Sequence, residues 1–188
     1  MFQWYLQSGT DSDVVISTRI RLTRNLEKYP FVNQSSSADS EKVMEATKEA
    51  INDLSYGLKV LELKNMDDIT KLSLVEKHLI SPEFALSKSD IGLLAINEDE
   101  NICIMINEED HIRIQVLSAG LELENSLNLA IEIDKLLGEK VEYAYNEKYG
   151  FLTACPTNCG TGLRASVMVH LPALFKTRKY QKSFRSCR

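Results

Sequence analysis

The sequence predicts a single α+β domain, and three patterns point to it. Residues 91–97 and 102–107 are apolar runs on either side of Glu98-Asp99-Glu100-Asn101, the pattern of an antiparallel hairpin, and a further strand is expected at 111–117. Residues 141–145 and 151–154 flank Asn146-Glu147-Lys148-Tyr149-Gly150 as a second hairpin. Segments 39–54 and 121–137 carry apolar residues at helical spacing, ended by Gly57 and Gly138 respectively. A chain of 188 residues with no repeat, low-complexity tract or linker makes one well-buried domain rather than two.

The elements follow in order. Trp4 and Tyr5 sit in an entry segment that packs one or two aromatics. Val14, Val15 and Ile16 begin a strand continued by Ile20 and Leu22, with Arg19, Arg21 and Arg24 interleaved. Residues i and i+2 of a strand share a face, so Arg19 and Arg21 project together. Two guanidinium groups on one face repel unless an anion or carboxylates lie between them, and phosphate is a natural bidentate partner. The alternative is a solvated edge strand with scattered arginines.

The helix at 39–54 turns Val43, Ala46, Ala50, Ile51 and Leu54 inward. A short strand is expected at 58–63, then a helix from 67 to about 78 with Ile69, Leu72 and Val75 inward and His78 at its end. A histidine there is commonly a surface residue that compensates the helix dipole. In the 111–117 strand, Ile112, Ile114 and Val116 lie on one side and His111, Arg113 and Gln115 on the other. The turn before it holds Glu108, Glu109 and Asp110, either plain solvated acids or, with one facing inward beside Arg113, a positioned base. The helix at 121–137 offers Leu123, Leu127, Ala130, Ile131 and Leu137. The last strand, 164–171, places Ala165, Val167, Val169 and Leu171 on one face and Arg164, Ser166, Met168 and His170 on the other. Residues 175–188 then form a basic tail with no acid.

Composition narrows the function. The hydrophobic fraction is 44% and the charged fraction 26%, ordinary for a soluble globular protein. A formal net charge of −5 argues against a general binder of nucleic acid or anionic membranes. No apolar run reaches membrane-span length and the first residues form no signal peptide, so a cytoplasmic protein with reduced thiols is expected. Its four cysteines, 103, 155, 159 and 187, lack the paired spacing of a zinc site, and no metal-binding residues are expected.

The densest chemistry lies at 155–172. Cys155 opens a Pro-Thr-Asn turn, Gly160 and Gly162 permit close backbone approach, and Arg164 opens the following strand. Backbone N–H groups and a nearby cation would suit an anion and lower a thiol's pKa. Equally, Cys155 could be a small buried hydrophobe beside an ordinary turn.

Residues 155–161, Cys-Pro-Thr-Asn-Cys-Gly-Thr, followed by Arg164-Ala165-Ser166-Val167, resemble the signature of the phosphagen (guanidino) kinase family. Ser17-Thr18-Arg19-Ile20-Arg21 and Asn107-Glu108-Glu109-Asp110-His111-Ile112-Arg113 resemble two further family blocks, in the family's order. The resemblance implies an antiparallel β-sheet flanked by helices, a glutamine-synthetase-like catalytic domain, and transfer of the γ-phosphoryl group of ATP to a guanidinium nitrogen with Mg2+. Motif by motif it implies that Arg19, Arg21, Arg113 and Arg164 are phosphate ligands, Glu109 the catalytic carboxylate and Cys155 a thiolate beside the guanidinium. His78 would lie near adenine, and Ser17, Thr18, Ile20, Ala165, Ser166, Val167 and Met168 would line the same nucleotide site.

Small-molecule members carry a helical domain ahead of the Ser-Thr-Arg block, which here begins at residue 17. The chain is therefore more similar to the bacterial protein-arginine kinase branch, as are residues 76–82 and 162–168. That branch implies protein substrates with exposed arginines, a zinc-binding adaptor and a Clp-type protease as partners. The resemblance extends over residues 4–178. Residues 1–174 are then expected to be the N-terminal part of the catalytic domain and 175–188 a divergent tail left by truncation, with activity impaired by the missing C-terminal part. The alternatives are a non-catalytic remnant that binds nucleotide or a partner and, lowest, a small-molecule guanidino kinase.

Overall fold

The computed structural model describes residues 3–87 and 91–176. Most of the expected basic tail at 175–188 lies outside the described residues. Among the described residues eight strands form: β1 (Val15–Arg24), β2 (Lys59–Glu62), β3 (Leu93–Ile96), β4 (Ile102–Ile106), β5 (Ile112–Ala119), β6 (Tyr145–Asn146), β7 (Gly150–Phe151) and β8 (Leu163–Val169). The helices are α1 (Ser37–Asn52), α2 (Asp68–Glu76), α3 (Pro82–Ala85), α4 (Leu123–Gly138) and α5 (Pro172–Lys176). Six strands make one antiparallel sheet in the order β2-β3-β4-β5-β1-β8, and β6 and β7 pair separately.

Strand alternation divides the core into two layers. Ile20, Leu22, Ala95, Ile104, Ile114 and Val116 point to one face and pack on Val43 and Ile51 of α1 and Ala130, Ile133 and Leu137 of α4. Leu94, Ile96, Cys103 and Met105 point to the other, where Leu74 of α2, Leu79, Ile80, Phe84 of α3 and Trp4 cover them. This second cover reaches β3 and β4 but ends at Leu117 on β5. Beyond it the β5-β1-β8 end of that face carries polar side chains.

Local sequence starts the helices. Ser36 caps α1 by accepting from the Asp39 N–H at 3.2 Å, and Asp67 caps α2 by accepting from that of Thr70 at 2.7 Å. Pro82 begins α3 behind the Ser81 cap, which accepts from the Phe84 N–H.

Two inward faces differ from expectation. On α2, Ile69 and Leu72 are 81% and 58% exposed and Leu74 is the buried residue. The helix is short and docks through its last turn and the following Leu79 and Ile80, so its own periodicity does not choose the face. On α4 the buried stripe is Ser126, Ala130, Ile133 and Leu137, while Leu123 and Ile131 are exposed. Small residues there let the helix approach β5 closely enough for Ser126 and Ser118 hydroxyls to hydrogen-bond at 2.8 Å.

His111 is a fully buried tether rather than a residue of the polar face. Its Nδ1 accepts from the Leu26 N–H at 3.0 Å, so the neutral ring carries its proton on Nε2 and donates to the Pro30 carbonyl at 2.9 Å. Burial holds its pKa below the ordinary 6.5, against the opposing pull of the Pro30 carbonyl and Asp110. Above 6.5 the ring is neutral in both folded and unfolded chains. Below it the unfolded chain takes up a proton that the folded ring refuses, so stability falls as pH falls toward the depressed folded pKa. Urea midpoints at about pH 7.5 and about pH 5.5 should therefore differ more for the parent than for His111→Gln. Equal differences would remove His111 as the source.

Candidate active site

The uncovered end of the sheet gathers four arginines from three strands. Arg21 of β1 stands opposite Arg164 of β8, Arg19 opposite Ser166, and Arg113 of β5 opposite Thr23. All are in the same strand phase as Met105 and Cys103, so all face the side that α2 and α3 only partly cover.

The cleft above them is a run of adjoining cavities. One of about 280 Å3 is lined by Ser17, Arg19, His78, Leu117, Ser166, Val167 and Met168. Arg19 and His78 are shared with the next, of about 370 Å3, which also meets Arg21, Arg113 and Gln115. Arg21 and Arg113 are shared with the last, of about 470 Å3, which adds Arg164, Asn107, Glu83, Glu108 and Glu109.

Arg113 is held by acids. Its Nη2 lies 2.7 Å from Glu108 Oε2 and 3.1 Å from Glu109 Oε2, and its Nη1 donates to Glu108 Oε1 at 2.9 Å. Among the described residues Arg19, Arg21 and Arg164 have no acidic partner. The buried Nε of Arg21 has no hydrogen bond, and that of Arg19 reaches only Ser166 Oγ at 3.3 Å. Partial burial pushes the Arg21 guanidinium down to about 10, assisted by Arg19, Arg113 and Arg164 and opposed by Glu108. Arg19 is lowered in the same direction by burial and then by Arg164 and Arg113. Both stay protonated near neutrality, so the cleft concentrates like charge that an anion would relieve.

The acid turn is not a solvated one. Asp110 is fully buried, Glu108 is 6% exposed at its side chain and Glu109 is 45% exposed. The sequence offers Glu108 only as one of three acids in the turn, with Glu109 singled out by the resemblance, and gives no role to Ser81, whose hydroxyl donates to Glu108 at 2.7 Å from the corner before α3. Gln115 was placed on the correct face without a role; its Nε2 donates to the His78 and Leu79 carbonyls at 2.8 and 3.1 Å. That grip fixes His78, which closes α2 with a positive φ of 61°.

Not every expected residue joins the cleft. Thr18 and Ile20 alternate with the arginines and face the helix layer. The Thr18 hydroxyl donates to the Gly120 carbonyl at 2.7 Å and accepts from the Glu122 N–H, and Ile20 is 1% exposed in the core. Ala165 stands opposite Ile20 and shares that face. Arg24 is in the same phase, buried against Asp134 at 2.7 Å and stacked 3.6 Å from the Phe151 ring centre. Cys155 is half-buried with Sγ 3.0 Å from Thr157 Oγ1, and is not among the residues lining the three cavities.

The two glycines after Cys155 meet backbone demands within the fold, Gly160 with φ +111° and Gly162 at a close approach to Thr23. Gly160 exchanges both backbone hydrogen bonds with Phe151, leaving no N–H to offer. Gly162 has φ +63°, and a Cβ there would lie 2.5 Å from the Thr23 carbonyl oxygen.

A buried polar knot joins this loop to the acid turn. Asp110 Oδ1 accepts from Asn25 Nδ2 at 2.5 Å and from the Ala154 N–H at 2.6 Å. Asn25 accepts from the His111 N–H at 2.9 Å and donates to the Leu152 carbonyl at 3.1 Å. The end of β1, the turn with Glu108 and Glu109, and the approach to Cys155 are thus fixed to one another.

An antiparallel sheet presents convergent, mostly uncompensated arginines beside paired carboxylates, a surface whose charge suits an anion. Residues 40–188 match the family described as ATP:guanido phosphotransferase, C-terminal catalytic domain, and the chain belongs to that family. The match runs to residue 188, past the end of the resemblance drawn from the motifs. The chain is similar to proteins named protein-arginine kinase from Halalkalibacterium halodurans, 49% identical over 182 residues, and Halothermothrix orenii, 49% identical over 183. Each alignment covers 95% of this chain and 51% of the relative, so the chain spans about half the length of the curated relatives it matches. Among solved structures, the duplicated taurocyamine kinase of Schistosoma mansoni with bound transition-state-analogue components superposes with TM-score 0.81 at 25% identity, covering 90% of this chain and 25% of that one. Lombricine kinase gives TM-score 0.81 at 26% identity, covering 93% and 53%. Among the described residues no helix is long and apolar enough to cross a membrane.

Asp110→Ala should cost about 1–3 kcal/mol, because it leaves the half-buried Ala154 N–H without an acceptor and takes one from the buried Asn25 amide. Asp110→Asn retains an acceptor oxygen and should cost less. Urea denaturation with limited proteolysis at 152–160 measures both, and equal losses would rule out the hydrogen-bond account.

Proposed function

We propose that the cleft binds the phosphates of ATP on Arg19, Arg21, Arg113 and Arg164 and directs the γ-phosphoryl group to a guanidinium nitrogen of an arginine side chain in a protein. The observation that carries this is the convergence of those four guanidinium groups on one face, three without counter-charge, next to Glu109. The similarity to protein-arginine kinases supports the choice of acceptor.

In this reaction the bond from the γ-phosphorus to the bridging oxygen breaks and a phosphorus–nitrogen bond forms. The acceptor guanidinium gives up one proton, for which Glu109, the more exposed acid of the pair, is the base. Arginine charge compensates the transferring group and the leaving diphosphate, so positioning and electrostatics supply most of the catalysis. Ser17, Ser166, Val167, Met168 and His78 line the far end, where the nucleoside would lie. Mg2+ is carried in with the nucleotide. Among the described residues no three His, Cys, Asp or Glu side chains form a group that could hold a metal ion. A cytoplasmic setting, a zinc-binding adaptor and a Clp-type protease are assigned from the resemblance to the protein-arginine kinase branch.

A second reading, nucleotide binding without transfer, is favoured by one observation: Cys155 does not line the cleft. Calorimetry with ATP and a phosphoarginine assay on an arginine-rich protein separate the two. Transfer reduced ~10²–10⁴-fold by Glu109→Gln with ATP affinity retained supports the kinase. ATP binding without transfer in either chain supports the second reading, and no ATP binding overturns both.

Arg21→Gln should act in opposite directions on stability and binding. Removing one of the clustered charges should raise the melting temperature without nucleotide at low salt, while ATP affinity falls about tenfold or more. A lower melting temperature would mean that repulsion is not what Arg21 contributes.

A further inference from the structure

At its largest end the cleft has a cationic floor, Arg21, Arg113 and Arg164, and an acidic wall, Glu83, Glu108 and Glu109. Glu108 is consumed by Arg113 and Ser81, and Glu109 also reaches Arg113. Glu83 differs. It lies in the first turn of α3, is exposed, and among the described residues its carboxylate has no hydrogen bond or ion pair. It lines both this cavity and the middle one, at the border between the phosphate arginines and the acids.

Asn107, 7% exposed, adds an independent observation. Its amide hydrogens go to the Ser40 and Ile91 carbonyls at 2.9 and 3.0 Å, and its buried Oδ1 has no partner in a residue that lines the same cavity. Two acceptors on one side of the cavity without partners among the described residues, the Glu83 carboxylate and Asn107 Oδ1, are complementary to a cation rich in donors. A guanidinium has five N–H donors and no acceptor. A triphosphate would be repelled from Glu83, which leaves the acceptor as the partner it suits.

Resting on the function proposed above, we infer that Glu83 is a specificity-determining residue that selects a positively charged guanidinium acceptor over a neutral isostere. Ser81 holds both the start of α3 and Glu108, accepting from the Phe84 N–H and donating to Glu108 Oε1. Glu83 therefore stands in fixed relation to the acids that meet Arg113. Its role is attraction and selection; proton transfer stays with Glu109.

The test compares binding of an arginine-containing peptide with its citrulline counterpart, which keeps the shape and loses the charge. With ATP bound, the 188-residue chain should prefer the arginine peptide, and Glu83→Gln should shrink that preference about threefold to fivefold, the range of a partly exposed ion pair. Citrulline-peptide and ATP affinities should not change, nor should the melting temperature, since Glu83 is exposed. Glu83→Lys should abolish the preference. An unchanged arginine-to-citrulline ratio in Glu83→Gln, or an altered ATP affinity, would overturn the inference. Loss of ATP binding in the parent chain would instead strike the proposed function, so the two failures are distinct.

Discussion

Strands β5, β1 and β8 lie side by side, and the two-residue period of their backbones sends Arg113, Arg19, Arg21 and Arg164 to one face. The other architectural choices follow from that constraint. The opposite face of β5 and β1 is mostly apolar, and α1 and α4 cover it through Val43, Ile51, Ala130 and Ile133, while Leu163, Ala165 and Val169 on the edge strand β8 stay exposed. On the arginine face the cover stops early. Leu79, Ile80 and Phe84 close over Cys103 and Met105 on β4 and leave the next strands open. A single face thus passes from apolar core to charged cleft within two strands.

That arrangement stores unfavourable electrostatics in the folded state. Among the described residues three of the four guanidinium groups have no acidic partner, and burial together with their neighbours depresses the charged form of Arg21 and Arg19. Glu108 offsets part of the repulsion from a nearly buried position, and it is held there by Ser81 and Arg113 rather than by solvent. Sites that must receive a polyanion are built this way because the ligand supplies the missing charge. Stability given up at the cleft is recovered in the two apolar layers, where Ile104, Leu93, Leu94 and Phe84 are almost wholly excluded from water.

Elements with strong periodicity were legible in the sequence. Both long helices, the 91–107 hairpin and the shared face of Arg19 and Arg21 appear where pattern placed them. What escaped depended on contacts distant in sequence. Ile69 and Leu72 satisfy a helical stripe, yet α2 docks by one end and leaves them in solvent. Glu108 and Asp110 look like members of an acid turn until Ser81 and Asn25 arrive from elsewhere to bury them. Gly160 and Gly162 advertise a ligand loop, but a backbone bridge to Phe151 and close contact with Thr23 use them locally. Thr18 and Ile20 belong to the motif that drew attention to β1, and alternation assigns them to the core while their neighbours face the cleft.

Arg24 shows how completely parity decides a residue's task on this strand. It is the same residue type as Arg19 and Arg21, on the same strand, but in the phase of Ile20 and Leu22. There its charge is neutralised by Asp134 of α4, its plane lies on Phe151, and it donates to the Thr161 carbonyl at 2.9 Å, fixing the loop that leads into Arg164. A slip of β1 by one residue would drive Arg19 and Arg21 into the α1–α4 layer and expose Ile20 and Leu22. It would also strand Arg24 away from its carboxylate, leaving Asp134 buried without a counter-charge. The pairing register that builds the apolar core is therefore the same one that assembles the cleft, and neither can be altered while the other is kept.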